Sequence, residues 1–451
     1  MWVLPMGIGA VEPCRIEVVE KGTGWPVPLV ELTTTHHVRF ISDNAGVVAV
    51  DQPELLGRET FFHVAADGYG VAPDAFGYRG VRLRPESGGT LRVEVERTMV
   101  ARRMGRLTGA GIFAESQKTG RDLDWEESGV FGCDSVQTVV HGGRRHWLWG
   151  DTTLPGYPLG IFDSLGAVTA VQPLERLEPP LRMSFEFYRD ANGRLRGITP
   201  MPGEGPTWAT AMVSLPDRDG RERLVCSYMK VRGVLEEYEW GLAVWDEEGK
   251  RFERLKVMWV KSERALKPPP LPRGHGVPWT DEGGKRWMLF ANPFPTLKCP
   301  ATFEAWQDPA SWEVLNAPTV LKDADGGSEV KLHDGVHSGG MGWHPWRARW
   351  VTVFLQKGGK PSPLGELWYA EAKSPLGPWG PAVKVLTHRS HTFYNPCIHL
   401  DFAPAGSPML FFEGTYTRDF SASAVATPRH DYNQILYRLD LDDPRLAGAQ
   451  E

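Results

Sequence analysis

Two aspartates in the stretch CDSVQTVVHGGRRHWLWGDTTL, Cys133 to Leu154, are spaced for acid–base chemistry. Asp134 precedes and Asp151 follows two short apolar runs joined by Gly142-Gly143. Gly-Gly between such runs predicts a β-hairpin, because both central residues can take φ > 0. With Ser135–His141 and His146–Gly150 as its strands, antiparallel pairing returns Asp151 to the edge where Asp134 stands. Two carboxyl groups on one edge of a rigid sheet can share the roles of proton donor and acceptor. The plainer reading is that each caps a strand end. Recurrence of the hairpin downstream favours chemistry.

The same unit returns four more times with drifting sequence. It is seen in TWATAMVSLPDRDGRERLVCSYMKV with EWGLAVWDEEGKRFERLKV, and in HGVPWTDEGGKRWMLFANPF with ATFEAWQDPASWEVL. It returns in HSGGMGWHPWRARWVTVFLQK with GELWYAEAKSPLGPWGPAVKVL, and in YNPCIHLDFAPAGSPMLFFEGTY with NQILYRLDL. Each opens with a strand that begins on a polar residue, then a charged turn and an aromatic strand. The period of roughly sixty to seventy residues is long for short-repeat propellers but fits four-stranded blades with extended loops. A five-bladed β-propeller follows. The last unit shows only three strands, so an earlier strand from about residues 105–130 is expected to complete it. Trp147, Trp149, Trp287, Trp350 and Trp368, part of a total of 18 tryptophans, fall in second or third strands and are expected to pack between blades.

The innermost strand of each blade lines the channel, so its polar start and the end of the next strand share one mouth. Asp134, Asp151, Thr207, Lys230, His275, Asn292, His337, Gln356, Tyr394, Asn395 and Glu413 collect there. GHG and VHSGG place His275 and His337 beside glycines, where a ligand can approach closely; a lone histidine in such a place is more often structural.

The remainder bounds the problem. A chain of 451 residues suggests two domains. Its 50 Lys+Arg against 56 Asp+Glu, net -6, carries no basic stripe for nucleic acid. Gly 50 and Pro 37 suit a turn-rich β protein. The five cysteines are scattered and unpaired in sequence, which argues for reduced thiols and against zinc. No apolar run approaches the ~20 residues of a membrane span. The start, MWVLPMGIGAVEPCR, lacks a basic leader and is broken by Pro5 and Glu12; a cytoplasmic location is the face-value expectation, and localisation stays open because a start site placed too late would hide a signal peptide.

Residues 16–97 alternate in short runs, about seven strands, predicting a small β-sandwich over 1–98. Residues 99–129 run basic, glycine-rich, then acidic. They are expected to form a solvated linker with one short helix near Ala114–Lys118, Arg102, Arg103 and Arg106 being candidate contacts. The propeller then occupies 130–451. The fold class is all-β.

Two resemblances add to this. GWPVPLVELTTTHHVRFISDNAG resembles the prealbumin-like domain of carboxypeptidase regulatory regions, which implies a non-catalytic accessory module. Asp134, WLWGD at Trp147–Asp151 and LWYAEAKSPLGPW at Leu367–Trp379 are similar to five-bladed propeller glycoside hydrolases, the broad group of families 43, 62, 68, 117 and 130. That resemblance implies an aspartate general base in blade one, which Asp134 matches, and a glutamate acid further round. At the usual third-blade position this chain has His275, with Glu304 later.

Glycoside hydrolysis needs one carboxyl to protonate the leaving oxygen and another to activate water. Asp134 is expected to be the base and Glu413 the acid, held protonated by the apolar strand before it, with Asp151 tuning pKa or binding a hydroxyl. Acids on opposite sides of the channel predict inversion. His275, His337, Tyr394 and Asn395 would bind sugar hydroxyls, Lys230 would stand at the mouth, and Trp208 and Trp343 are candidates for stacking. Glu204 is a reserve acid on the loop before the second unit; Glu236, Glu237 and Glu239 could reach the mouth, but the plainer reading makes them a solvated face. Arg429, His430 and Asp431 sit on a last long loop. Rival readings are a carbohydrate- or protein-binding propeller without turnover, a lyase, and a phosphorylase, for which Lys230 is the one basic group. No cofactor is expected; a channel calcium has no EF-hand-like loop to support it.

Overall fold

The computed structural model describes residues 11–109, 111–171, 178–325, 335–360, 362–389, 391–418, 421 and 431–450. Eight strands between Cys14 and Arg97 form two four-stranded sheets. Their alternation buries one face of each: Ile16, Val18, Val93 and Val95 of one sheet meet Leu32, Phe62 and Val64 of the other in a shared core. Burying each such side chain stabilises by about 1.5–3 kcal/mol.

Five four-stranded antiparallel sheets follow as blades. Blade one is Gln137–His141, Arg144–Leu148, Gly166–Ala170 and Glu186–Phe187; blade two is Thr207–Pro216, Glu222–Arg232, Glu236–Asp246 and Arg251–Val260. Blade three is His275–Thr280, Arg286–Ala291, Pro295–Pro300 and Glu313–Val314; blade four is Val336–His344, Arg349–Gln356, Glu366–Ala372 and Val383–Thr387. Blade five contains Thr392–His399, Met409–Thr417 and Asn433–Asp440, and its outermost strand is Arg102–Arg106. An earlier strand does complete this blade as expected, but it is Arg102–Arg106, at the start of the stretch assigned to a linker, rather than one within about residues 105–130; it pairs with Asn433–Asp440 and joins the two ends of the ring. The short helix is Glu115–Lys118, within the expected stretch.

Those three arginines are not a solvated connector. Arg102 binds Glu20 of the sandwich at 3.1 Å and Asp440 of blade five at 3.2 Å. Arg103, buried, donates to the carbonyls of Pro28 and Leu29 and to the Tyr437 hydroxyl. Arg106 lies over the Phe113 ring at 3.7 Å. Asn44 of the sandwich donates to the carbonyls of Arg106 and Leu181. Charge-assisted bonds inside a wall are stronger than at the surface, so sandwich and propeller share one continuous interface.

Near one mouth, each of the five seams between blades carries a hydrogen bond. Thr207 N donates to Asp163 Oδ1 at 3.0 Å, Ala211 N to the Gly274 carbonyl at 2.9 Å, and Gly339 N to Asn292 Oδ1 at 2.9 Å. Phe393 N donates to the Leu364 carbonyl at 2.8 Å, and Ser135 N to Thr415 Oγ1 at 3.1 Å. Bulges interrupt the inner strands of blades two, four and five. Such bulges re-aim side chains at barrel rims and active sites. All five tryptophans assigned to packing are buried, Trp147 stacking on Trp149 at 5.8 Å. The five cysteines are free and buried.

Candidate active site

The first hairpin forms as the sequence predicts, with Gly142 and Gly143 at φ 56° and 72°. The two aspartates stand just beyond it, where the chain crosses to a second small sheet. Cys133 pairs with Thr152 there, so Asp134 and Asp151 are the next residues on neighbouring strands. Asp134 N donates to the Asp151 carbonyl at 3.2 Å, and Gly150 N to the Asp134 carbonyl at 2.8 Å. A side chain at position 150 would collide with Asp134 Oδ1, so glycine there leaves that oxygen room.

Both aspartates line a cavity of about 810 Å³ at this mouth. Trp208, His275, His337, Tyr394 and Asn395 share it, so seven of the ten sequence-assigned site residues meet in one space. Asp134 Oδ2 accepts from the Tyr394 hydroxyl at 2.7 Å and from the Tyr432 hydroxyl at 2.9 Å. Burial raises the Asp134 carboxyl above its ordinary range, and these phenols oppose the rise by favouring the ionised form. Asp151 is pushed up to about 6 by burial and then by repulsion from Asp134, while Trp208 Nε1, donating to it at 3.1 Å, acts the other way. The two neighbouring acids thus sit in different environments, Asp134 bonded to two phenols and Asp151 to one indole.

The backbone around them is strained in a patterned way. Ser135 and Asn395 take φ of 52° and 50°, a region disfavoured for residues other than glycine, and Asn395 Nδ2 donates to Ser135 Oγ at 2.7 Å. Tyr432 takes φ of 53°. His275 is partly buried and held down to about 4 by burial, with repulsion from His399 adding to this. It is a neutral imidazole at neutral pH, and it also lines a cavity of about 420 Å³ at the opposite mouth, so it stands at the waist of the channel. His337 is exposed, with its Nδ1 2.9 Å from Ser338 Oγ. Trp208, Met229, Leu235 and Trp240 give blade two's wall an apolar face.

Three assigned residues lie elsewhere. Glu413, taken as the general acid, has no exposed surface and is absent from the cavity wall; its Oε1 contacts His399 Nε2 at 2.7 Å. A carboxyl sealed from the ligand space cannot reach a leaving oxygen, and the argument for inversion across the channel goes with it. Lys230 is also enclosed: its Nζ donates to the carbonyls of Met201 and Gly205 and to Thr207 Oγ1, which pins the loop before blade two. It offers no charge to a phosphate. Trp343 lines the opposite mouth near Arg145 and Asp401.

None of the other glutamates weighed lines the cavity, although Glu237 touches its wall through Trp240 and Arg273. Glu236 pairs with Arg232 and Lys261, Glu239 with Arg254, and Glu304 with Arg218. Glu237 accepts from Trp240 Nε1, and the Glu204 carbonyl accepts from Tyr238. Arg429 and His430 lie outside the described residues. Asp431 does line the cavity, facing Arg418 at 3.8 Å. Tyr432 and Arg273 were missed. Each neighbours a residue that was singled out, Asp431 and His275, but neither belongs to a repeated pattern. Among the described residues, no group of three or more histidines, cysteines or carboxylates is arranged to hold a metal ion.

No family model and no curated protein matches the chain. Solved structures with a similar course include an exo-1,5-alpha-L-arabinanase from a bovine ruminal metagenomic library. It is 9% identical, with a TM-score of 0.38, over 69% of this chain and 93% of that one. A GH43_1 enzyme from Xanthomonas citri complexed with xylotriose is 12% identical, with a TM-score of 0.39, over 68% and 86%. A thermostable family-43 glycoside hydrolase is 13% identical, with a TM-score of 0.36, over 68% and 88%.

Proposed function

We propose that this protein hydrolyses glycosidic bonds in an oligo- or polysaccharide, with Asp134 as general base and Asp151 as general acid. One observation carries the reading: two carboxyl groups, unequally solvated and unequally hydrogen-bonded, face one aromatic-walled cavity side by side. Two phenol hydroxyls on Asp134 Oδ2 favour its ionised form, and Oδ1 stays available beside Gly150. Asp151, raised to about 6, keeps its proton in mildly acidic solution.

In the reaction, Asp151 gives its proton to the glycosidic oxygen as the bond to the anomeric carbon breaks. Asp134 takes a proton from the water that attacks that carbon. Solvent then returns a proton to Asp151 and removes one from Asp134. Trp208 presents a flat apolar face to a sugar ring, and His275, His337 and Asn395 offer hydrogen bonds to its hydroxyls.

A panel of aryl glycosides and plant or algal polysaccharides tests this directly. Reducing-sugar release that disappears in Asp134→Asn is the expected result. Release unchanged in Asp134→Asn would refute the assignment, and saccharide binding without release would favour a lectin-like propeller. Proton NMR of the first-formed anomer reads the stereochemistry.

A further inference from the structure

One cation on the cavity wall has only a long ion pair and an aromatic ring beside it. Arg273 leads into Gly274-His275 at the start of blade three, and its guanidinium lies 3.9 Å over the Trp240 ring. The nearest carboxylate oxygen, Glu237 Oε2, is 4.0 Å away and already accepts from Trp240 Nε1 at 2.7 Å. Among the described residues, no group accepts a hydrogen bond from Arg273. Its side chain is 43% exposed, and arginines set deeper in the fold do find acceptors. Arg254 reaches Glu239 at 2.8 Å, Arg347 reaches Glu371 at 2.7 Å, and Arg103 reaches three backbone carbonyls. A charge taken partly out of water costs free energy unless it is paired, and a guanidinium's planar fork of donors matches a carboxylate.

The remaining charges say where an anion fits. Asp134 and Asp431 stand at the seam of blades five and one, and their carboxylates disfavour an anion on that side. Arg418, the other arginine among the described residues lining the cavity, is offset by Asp431. Arg273 stands at the seam of blades two and three, next to the Trp240 and Trp208 wall. We propose that the saccharide taken by this site carries a carboxylate, as in a uronic acid residue, bound by Arg273 while the bond to be cleaved lies over Asp134 and Asp151. The inference rests on the glycosidase reading and narrows its substrate class.

The test uses the full chain and matched pairs of oligosaccharides, oligouronides beside their carboxyl-reduced neutral counterparts, with sulfated analogues as a third arm. Hydrolysis is followed with the wild type, and binding by calorimetry with Asp134→Asn. The acidic member of a pair should be favoured by roughly 10- to 100-fold, the worth of a charge-assisted hydrogen bond. Arg273→Gln should abolish that preference while shifting the neutral members far less. Arg273→Lys, which keeps the charge and loses the fork, should restore it in part. Unfolding temperatures confirm that both variants fold. A preference that survives Arg273→Gln, or a preference for sulfated over carboxylated members, overturns the inference. Hydrolysis of neutral members with no acidic preference overturns it while leaving the glycosidase reading intact. Acidic preference in binding without turnover of any member supports it and sinks the glycosidase reading instead.

Discussion

Glu413 and His399 meet at 2.7 Å with neither side chain exposed. Burial pushes Glu413 up to about 8 and holds His399 well below its ordinary value, so near neutrality the pair is an uncharged acid beside an uncharged imidazole. The unfolded chain ionises this glutamate near 4.5, whereas the folded chain keeps the proton to about 8. Its contribution to stability is therefore full below about 4.5 and is lost as pH rises towards 8. His399 works in the opposite sense, losing stability as pH falls below 6.5. Glu413→Gln should flatten the alkaline-side loss, leave the acid-side loss, and retain turnover. Denaturation midpoints taken between about pH 5 and pH 8 check this; a midpoint profile identical to wild type counts against it.

Asp134→Asn keeps the shape of the side chain and removes its basicity. The expected loss in kcat is roughly 10²- to 10⁴-fold, the usual worth of a positioned acid or base, with little change in unfolding temperature. Steady-state kinetics on the best substrate from the panel decides.

With Asp151 as the proposed acid, the alkaline limb of the kcat/KM profile is expected at about 6 in the free enzyme. Trp208 donates to it and favours the ionised form, so Trp208→Phe should raise that pKa and move the limb to higher pH. A limb that moves to lower pH, or stays fixed, would show that another group is titrating. The kcat/KM profile is the measurement.

Tyr394 and Tyr432 act on the other limb. Each phenol favours ionised Asp134, so Tyr394→Phe or Tyr432→Phe should raise the Asp134 pKa and move the acid limb upward. The double variant should move it further than either alone. Profiles for the three variants, compared with wild type, give the result.

Gly150→Ala should impair turnover sharply, because a methyl group there competes for the space of Asp134 Oδ1. Circular dichroism should show an intact fold. Wild-type turnover in this variant would mean that Oδ1 can move without cost.

Much of the ring was legible because blade two and its successors alternate over long strands with charged turns between them. The acid edge was legible because Gly142-Gly143 fixes the register of a short hairpin. Glu413 was misplaced because a glutamate after an apolar run looks the same whether it faces the channel or the wall. The bulge between Tyr394 and Cys397 shifts the pairing there, and no residue type announces it. Trp343 was placed at the wrong mouth for a simpler reason. Six residues along an extended strand from His337 cover roughly 20 Å, enough to cross the channel. Lys230 turns toward the carbonyls of a preceding loop, a contact that only the folded chain reveals.

The Arg102–Arg106 segment belongs to two modules at once: it leaves the sandwich and finishes the last sheet of the ring. Trimming the chain beyond Arg106 together with the sandwich would therefore strip a blade of its rim and leave the buried edge of Asn433–Asp440 bare. A peptide-bond cut ahead of Arg102 keeps that rim in place, and the ion pair of Arg102 with Glu20 and the bonds from Arg103 to Pro28 and Leu29 should still hold the severed sandwich to the ring.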